Sequence, residues 1–351
     1  MNERKFTVND TNFIKGIAVL MLLFHHLFAG TLLPPIVWDA TSKFTILATL
    51  SKVCVSLFLF LSGYGMTASY EKNTKTDFNF VFSHLKKLMA GFWVIYLMFV
   101  PLGFYLDSSP LLVYGSGLSG LRNFIFDFFG LFALFSTPTM NQSWWYLEAT
   151  IVFYILFPVL YRICKKHPLS TTVLSALPIF LYVYYSEYSW NNCREIFWIL
   201  PFVAGIIFYQ KNILTNFFRY YDDNKFAKLF SITALTSVFV ILRYHLGIVM
   251  DTPLAISIVM FMTVSFSNIK YIYEPLKKLG EHSANIYMFH SFIYYNFSWA
   301  FWLYEINSKT IRFIALLAVC IIISIFIDFF KKCLYLIPLL FAKPKTKSLT
   351  R

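Results

Sequence analysis

Apolar runs follow one another along almost the whole chain, separated by short polar stretches. Read as membrane spans, they fall near 12–32, 46–69, 88–106, 143–161, 169–186, 196–210, 229–247, 253–269, 283–304 and 312–330. The pattern predicts an all-α, polytopic membrane helix bundle of about ten transmembrane helices. Two of the runs, 196–210 and 253–269, are shorter than a full crossing. The segment 107–142 holds a short apolar piece, 121–136, interrupted by Asp127. That fits an interfacial or re-entrant helix better than a span. A second short piece, 333–342, is expected to lie on the inner surface. The polar residues 1–11 precede a run that carries two histidines and is followed by further spans, so the run reads as the first helix rather than a cleaved signal. Repeats and an appended soluble domain are not evident. The expected organisation is one integral-membrane domain, 1–342, and a short basic cytoplasmic tail, 343–351.

Composition agrees. The 351 residues are 58% hydrophobic, 21% aromatic and only 13% charged, where soluble proteins average about 25% charged. The net charge of +13 raises the question of nucleic acid. Its distribution answers it. Most of the 30 basic residues fall in the loops on the N-terminal side, such as Lys86, Lys87, Lys165, Lys166, Lys277 and Lys278, and in the C-terminal tail. By the positive-inside rule both termini are cytoplasmic, in a multi-pass cell-membrane protein, with a bacterial plasma membrane the expected setting. The cations then mark topology and membrane lipids, and no nucleic-acid partner is expected. The five cysteines have no metal spacing, and only Cys193 falls in an outer loop, so neither a metal nor an external disulfide within the chain is expected. Asn141-Gln142-Ser143 matches the short glycosylation-acceptor pattern.

Ionisable residues inside spans are costly and tend to mark function. In the first span Lys15 and His26 are eleven residues apart, which places them within about 20° on one face, roughly 16 Å apart along the axis. His25 points about 80° away from that face. His26 is expected ~9 Å and Glu148 ~8 Å from the outer ends of their spans, so the carboxylate and imidazole can meet at one level. Such a carboxylate would orient the ring and raise its basicity. A structural His–Glu pair is the other reading. Ser62-Gly63-Tyr64-Gly65 allows either close helix packing or close approach of a ligand. Ser283 and His290 share a face, with His290 ~10 Å from the inner surface, facing a cavity or bonding a neighbouring helix. Lys15, Lys86 and Lys87 near the inner surface suit either the phosphates of a cytosolic cofactor or lipid headgroups.

Four stretches together resemble membrane acyltransferase family 3, integral-membrane O-acyltransferases of exported sugars and lipids. They are Phe13 to Ala18 running on to His26; Leu59 to Tyr64; Trp145 to Ala149 with Phe153 to Pro158; and Leu279-Gly280 with Ser283, Ile286, Tyr287 and His290. The resemblance implies transfer of an acetyl or other acyl group from cytoplasmic acyl-CoA, most simply acetyl-CoA, to a hydroxyl of an exported or cell-surface polysaccharide. It implies His26 as the catalytic base or acyl acceptor, with Glu148 orienting it, and Lys15, Lys86 and Lys87 toward the donor. Ser62, Tyr64, Trp145, Tyr287 and His290 would line the substrate cavity. This chain departs from the family pattern in three ways. It has Lys15 where arginine is usual, Thr150 where many members carry an acid, and Lys86 and Lys87 where arginines are common. The alternative is a transporter or flippase for a glycan or lipid-linked sugar. That class predicts two related halves with broken helices, and no such halves are visible.

Overall fold

The computed structural model describes residues 5–29, 42–74, 76–106, 109–184, 194–220, 225–296 and 302–340. Among them every regular element is helical. Helix α1 (Val8–Phe28) opens with a capping box, in which Thr7 and Asp10 satisfy each other's backbone N–H. It runs unbroken through Lys15 and His26. It is apolar on nearly all sides, and such a helix belongs inside a bundle. Helices α2 (Lys43–Ser51) and α3 (Cys54–Glu71) form one span with a bend at Lys52 and Val53. Then come α4 (Asp77–Leu106), the short α5 (Pro110–Tyr114) and α6 (Gly117–Phe128), and α7 (Trp145–Lys166), entered through a 3₁₀ turn at Gln142–Trp144. Next are α8 (Pro168–Tyr184), a 3₁₀ turn at Arg194–Trp198, α9 (Ile199–Gln210) and α10 (Ile213–Tyr220). Helices α11 (Lys225–Leu246) and α12 (Asp251–Phe266) pack side by side, turning at Gly247, whose φ of 70° suits glycine. The chain continues as α13 (Lys270–Glu281), α14 (Ser283–Ser291), a π-helical turn at Phe292–Asn296, α15 (Trp302–Glu305) and α16 (Lys309–Leu340).

Each of the ten expected spans overlaps a described helix. Among the described residues six segments are long and apolar enough to cross a membrane. A seventh, Ile196–Gln210 with Ile213–Arg219, is bent by 59°. Two expectations change. The piece 333–342 is no separate surface element, because α16 continues through it to Leu340. Helix α1 ends at Phe28, not at 32. The segment around 121–136 does not cross, as expected, and α6 buries Asp127. The tail 343–351 and Cys193 lie outside the described residues.

Two glycine pairs set the bundle. A Cβ on Gly16 would come 1.9 Å from the Leu276 carbonyl oxygen, and one on Gly280 would come 1.8 Å from that of Asn12. So α1 and α13 touch backbone to backbone, the seam that small residues permit between membrane helices. Phe13 stacks on Tyr273 at 4.9 Å, and the Tyr273 hydroxyl donates to Asp10 at 3.0 Å. The second seam joins α3 and α9, where Gly63 meets the Phe202 carbonyl and Gly205 meets that of Phe60. Gly63 of the Ser-Gly-Tyr-Gly stretch is therefore a packing residue. Helix α1 also contacts α2, α3, α12, α14 and α16, so it forms the axis of the bundle.

Candidate active site

A cavity of about 430 Å³ opens where α1 ends. Its volume lies in the ordinary range for small-molecule sites. Leu22, His25 and His26 of α1 form one wall. Lys52, Cys54 and Val55 come from the bend before α3, Asn141, Gln142, Ser143 and Trp145 from the start of α7, and Ser291 and Tyr294 from α14 and its π turn. Tyr182, Phe197, Trp198 and Ile248 close the far side. Trp145 and Trp198 lie 6.0 Å apart with a 37° tilt, and Tyr182 and Phe197 lie 4.8 Å apart beside them. Aromatic faces among amide and hydroxyl groups give flat apolar surfaces for a ring and polar partners for its substituents.

Both adjacent histidines line the cavity, although helical spacing separates their faces. Their bonding distinguishes them. The His25 Nδ1 donates to the Ala48 carbonyl at 2.8 Å and ties α1 to α2. The His26 Nδ1 is buried and has no hydrogen-bond partner among the described residues. The ring of His26 lies 5.0 Å from that of His290 and 5.8 Å from that of Tyr294. His290 therefore backs His26 from behind the cavity wall.

The other expected residues divide. Trp145 lines the cavity; Ser62, Tyr64, Tyr287 and Glu148 are not among its lining residues. Glu148 is fully buried, but its carboxylate accepts from the backbone N–H of Ala133 at 2.9 Å and of Leu134 at 2.6 Å. It fastens the loop between α6 and α7, and no hydrogen bond joins it to His26 in this structure. A carboxylate in apolar surroundings is held by any N–H that reaches it first, and here the loop supplies two. Tyr287 caps the start of α7: its hydroxyl donates to the Ser143 carbonyl and accepts from the Leu147 N–H. Ser62 faces the Tyr154 hydroxyl at 3.4 Å. Tyr64 packs between Phe6 and Tyr209, near the start of α1. Asn141 is fully buried, accepting from Ser143 and donating to the Met288 carbonyl, which removes it as a glycan acceptor.

The cations also separate. Lys15 is half-buried and makes no hydrogen bond or ion pair with another described residue. Lys86 and Lys87 are exposed on α4, whose main neighbours are α7, α14 and α16 rather than α1. The structure thus gives no grouping of the three. Sequence reasoning missed Trp198, Phe197, Tyr182 and Lys52 as cavity residues, and only the proximity of 198 to a span end hinted at the first. It also missed the buried ion pair of Arg243 and Asp251, which joins α11 to α12.

A histidine-lined cavity in a bundle of membrane-crossing helices defines an integral-membrane protein with a candidate catalytic centre. The chain belongs to acyltransferase family 3: that family's model, an acyltransferase domain, matches residues 8–329. It is therefore a membrane enzyme that transfers acyl groups. No curated protein and no solved structure matches it. Among the described residues no group of histidine, cysteine or carboxylate side chains has the arrangement to hold a metal ion.

Proposed function

We propose that this acyltransferase moves an acetyl group from cytoplasmic acyl-CoA, most simply acetyl-CoA, to a hydroxyl of an exported or cell-surface polysaccharide, in the bacterial cell membrane. The observation that carries the reading is the cavity itself. It places His26 against an aromatic and amide lining suited to a sugar, at one end of the helix that holds Lys15. Lys15 has no carboxylate partner among the described residues, and a half-buried cation of that kind suits an anionic ligand. In this reading it meets a phosphate of the donor. By the positive-inside rule, this reading puts that end of α1 at the cytoplasm and the cavity toward the outside. His26 takes the proton from the acceptor hydroxyl as its oxygen forms the ester bond to the acyl carbon. The carbon–sulfur bond of the thioester breaks, and the proton leaves with CoA as the free thiol. The apolar bundle limits water, which suppresses hydrolysis of the thioester.

The test is acetate released by mild base from purified surface polysaccharide of cells with and without the gene. The reading expects less acetate without it and restoration by the wild-type copy. Equal acetate in both would overturn it in favour of transport.

A further inference from the structure

His290 does not line the cavity but stands directly behind His26. Its Nδ1 lies 2.8 Å from the Tyr287 carbonyl and 3.1 Å from that of Ile286. Carbonyl oxygens only accept, so Nδ1 carries the hydrogen and, in the neutral ring, Nε2 carries the lone pair. That Nε2 is buried and without a hydrogen-bond partner among the described residues. So is the Nδ1 of His26, the ring beside it. Two buried, unsatisfied nitrogens on neighbouring rings are costly apart and satisfied together. An imidazole nitrogen sits about 1.1 Å from its ring centre. The 5.0 Å between centres therefore leaves about 2.8 Å between nitrogens aimed at one another, an ordinary hydrogen-bond length. The two nitrogens are not bonded in this structure, so the pairing requires the His26 ring to reorient.

We propose that His290 is a positioning residue that accepts a hydrogen bond from the Nδ1–H of His26 and so fixes His26 in the tautomer whose Nε2 lone pair faces the cavity. The chain of bonds runs from the Tyr287 and Ile286 carbonyls through both imidazoles to the acceptor hydroxyl. His290 takes the place that the sequence assigned to Glu148. The fold supports the assignment. Helix α14 gives way to a π turn directly after His290, and such turns often re-aim side chains at functional sites. The turn brings the Tyr294 ring to 5.8 Å from both imidazoles, which confines them laterally. On the other side stand His25, already committed to Ala48, and Lys52. The His25 ring lies 5.1 Å from that of His26, but its Nε2, unlike that of His290, is not a buried nitrogen left without a partner.

The inference rests on His26 being the base, and its test separates the two claims. In the full-length protein with ¹⁵N-labelled histidine, NMR reads the tautomer directly, with His26 assigned by difference from a His26→Gln sample. The wild type is expected to show a protonated Nδ1 and an unprotonated Nε2 at His26, and His290→Leu to lose that preference. A protonated Nε2 at His26 in the wild type overturns the proposal whatever the enzyme's activity. In turnover, His290→Leu is expected to lower kcat by about 10- to 100-fold with the acceptor KM within about twofold. His290→Gln, whose amide oxygen reaches the place of Nε2, is expected to recover at least about half of that loss on a logarithmic scale. Equal losses in folded His290→Leu and His290→Gln would assign His290 a packing role only. Should His26→Ala keep full activity, the base reading fails, while the spectrum still decides the pairing.

Discussion

Gly280→Ala is the sharpest perturbation of the frame that carries Lys15 and His26. The new Cβ would lie 1.8 Å from the Asn12 carbonyl oxygen and 2.8 Å from the Gly16 nitrogen, both backbone atoms. Ordinary contact needs about 3.4 Å, so α1 and α13 must separate by roughly 1.5 Å, because neither atom can rotate away. Overpacking of this kind costs about 1–3 kcal/mol. Separation also strains the Phe13–Tyr273 stack, worth about 1 kcal/mol, and the hydrogen bond of Tyr273 to Asp10. A loss of about 2–4 kcal/mol corresponds to a drop of roughly 3–5 °C in the thermal midpoint of a chain of this length. Gly65→Ala is the control, since nothing lies within 4 Å of its Cβ position, and it is expected to be neutral or stabilising by about 0.5 kcal/mol. The assay is thermal unfolding of the purified protein in one detergent, with acyl transfer measured alongside. Midpoints for the two variants within about 1 °C of each other would refute the backbone contact between α1 and α13.

Glu148→Gln replaces one accepting oxygen with a donor, at a cost of about 1–3 kcal/mol to the loop. Hydrogen exchange at Ala133 and Leu134 should quicken; unchanged exchange with a large fall in kcat would return Glu148 to the role of orienting His26. Trp198→Leu removes one aromatic face of the cavity and should raise the acceptor KM about five- to tenfold with kcat little changed; an effect on kcat alone would contradict a binding role. Burial pushes the Asp127 carboxyl up to about 6, against the opposing hydrogen bonds from Thr139, Tyr114 and Met140. The raised value means that the folded hairpin holds the proton more tightly than the unfolded chain does. Its stability therefore rises as pH falls through 6 toward the ordinary 3.8, and is lowest above 6. Backbone exchange over 114–140 should be slower at acidic than at alkaline pH beyond the intrinsic rate change, and Asp127→Asn should abolish the difference; slower exchange at alkaline pH would contradict it.

The helical architecture was legible because hydrophobicity reports the solvent of each segment directly. The breaks were not, because the 59° bend between α9 and α10 and the π turn after α14 leave no mark in hydrophobicity alone. The cost of a histidine in lipid singled out His26, and the structure puts its ring in the cavity wall. Glu148 misled because depth along a helix fixes level and not azimuth, and its carboxylate turned to the loop at 133–134. The aromatic wall was hidden for a related reason. Trp198 lies on the 3₁₀ turn before α9 and Tyr182 on α8, and both reach the cavity only through packing that no local pattern encodes. His290 was visible as a polar residue in an apolar helix, but its orientation depends on the π turn that follows it.

Two adjacent histidines face the cavity, and His26 is the one assigned the chemistry. The direct measurement is CoA released from acetyl-CoA in the presence of the surface glycan, using the purified protein in vesicles, for His25→Gln and His26→Gln side by side with unfolding midpoints for both. His26→Gln is expected to lose at least about 100-fold in kcat with its fold intact, and His25→Gln, which gives up only its bond to Ala48, to stay within about tenfold of the wild type. The reverse order, or full activity in His26→Gln, would contradict the assignment of His26 as the base.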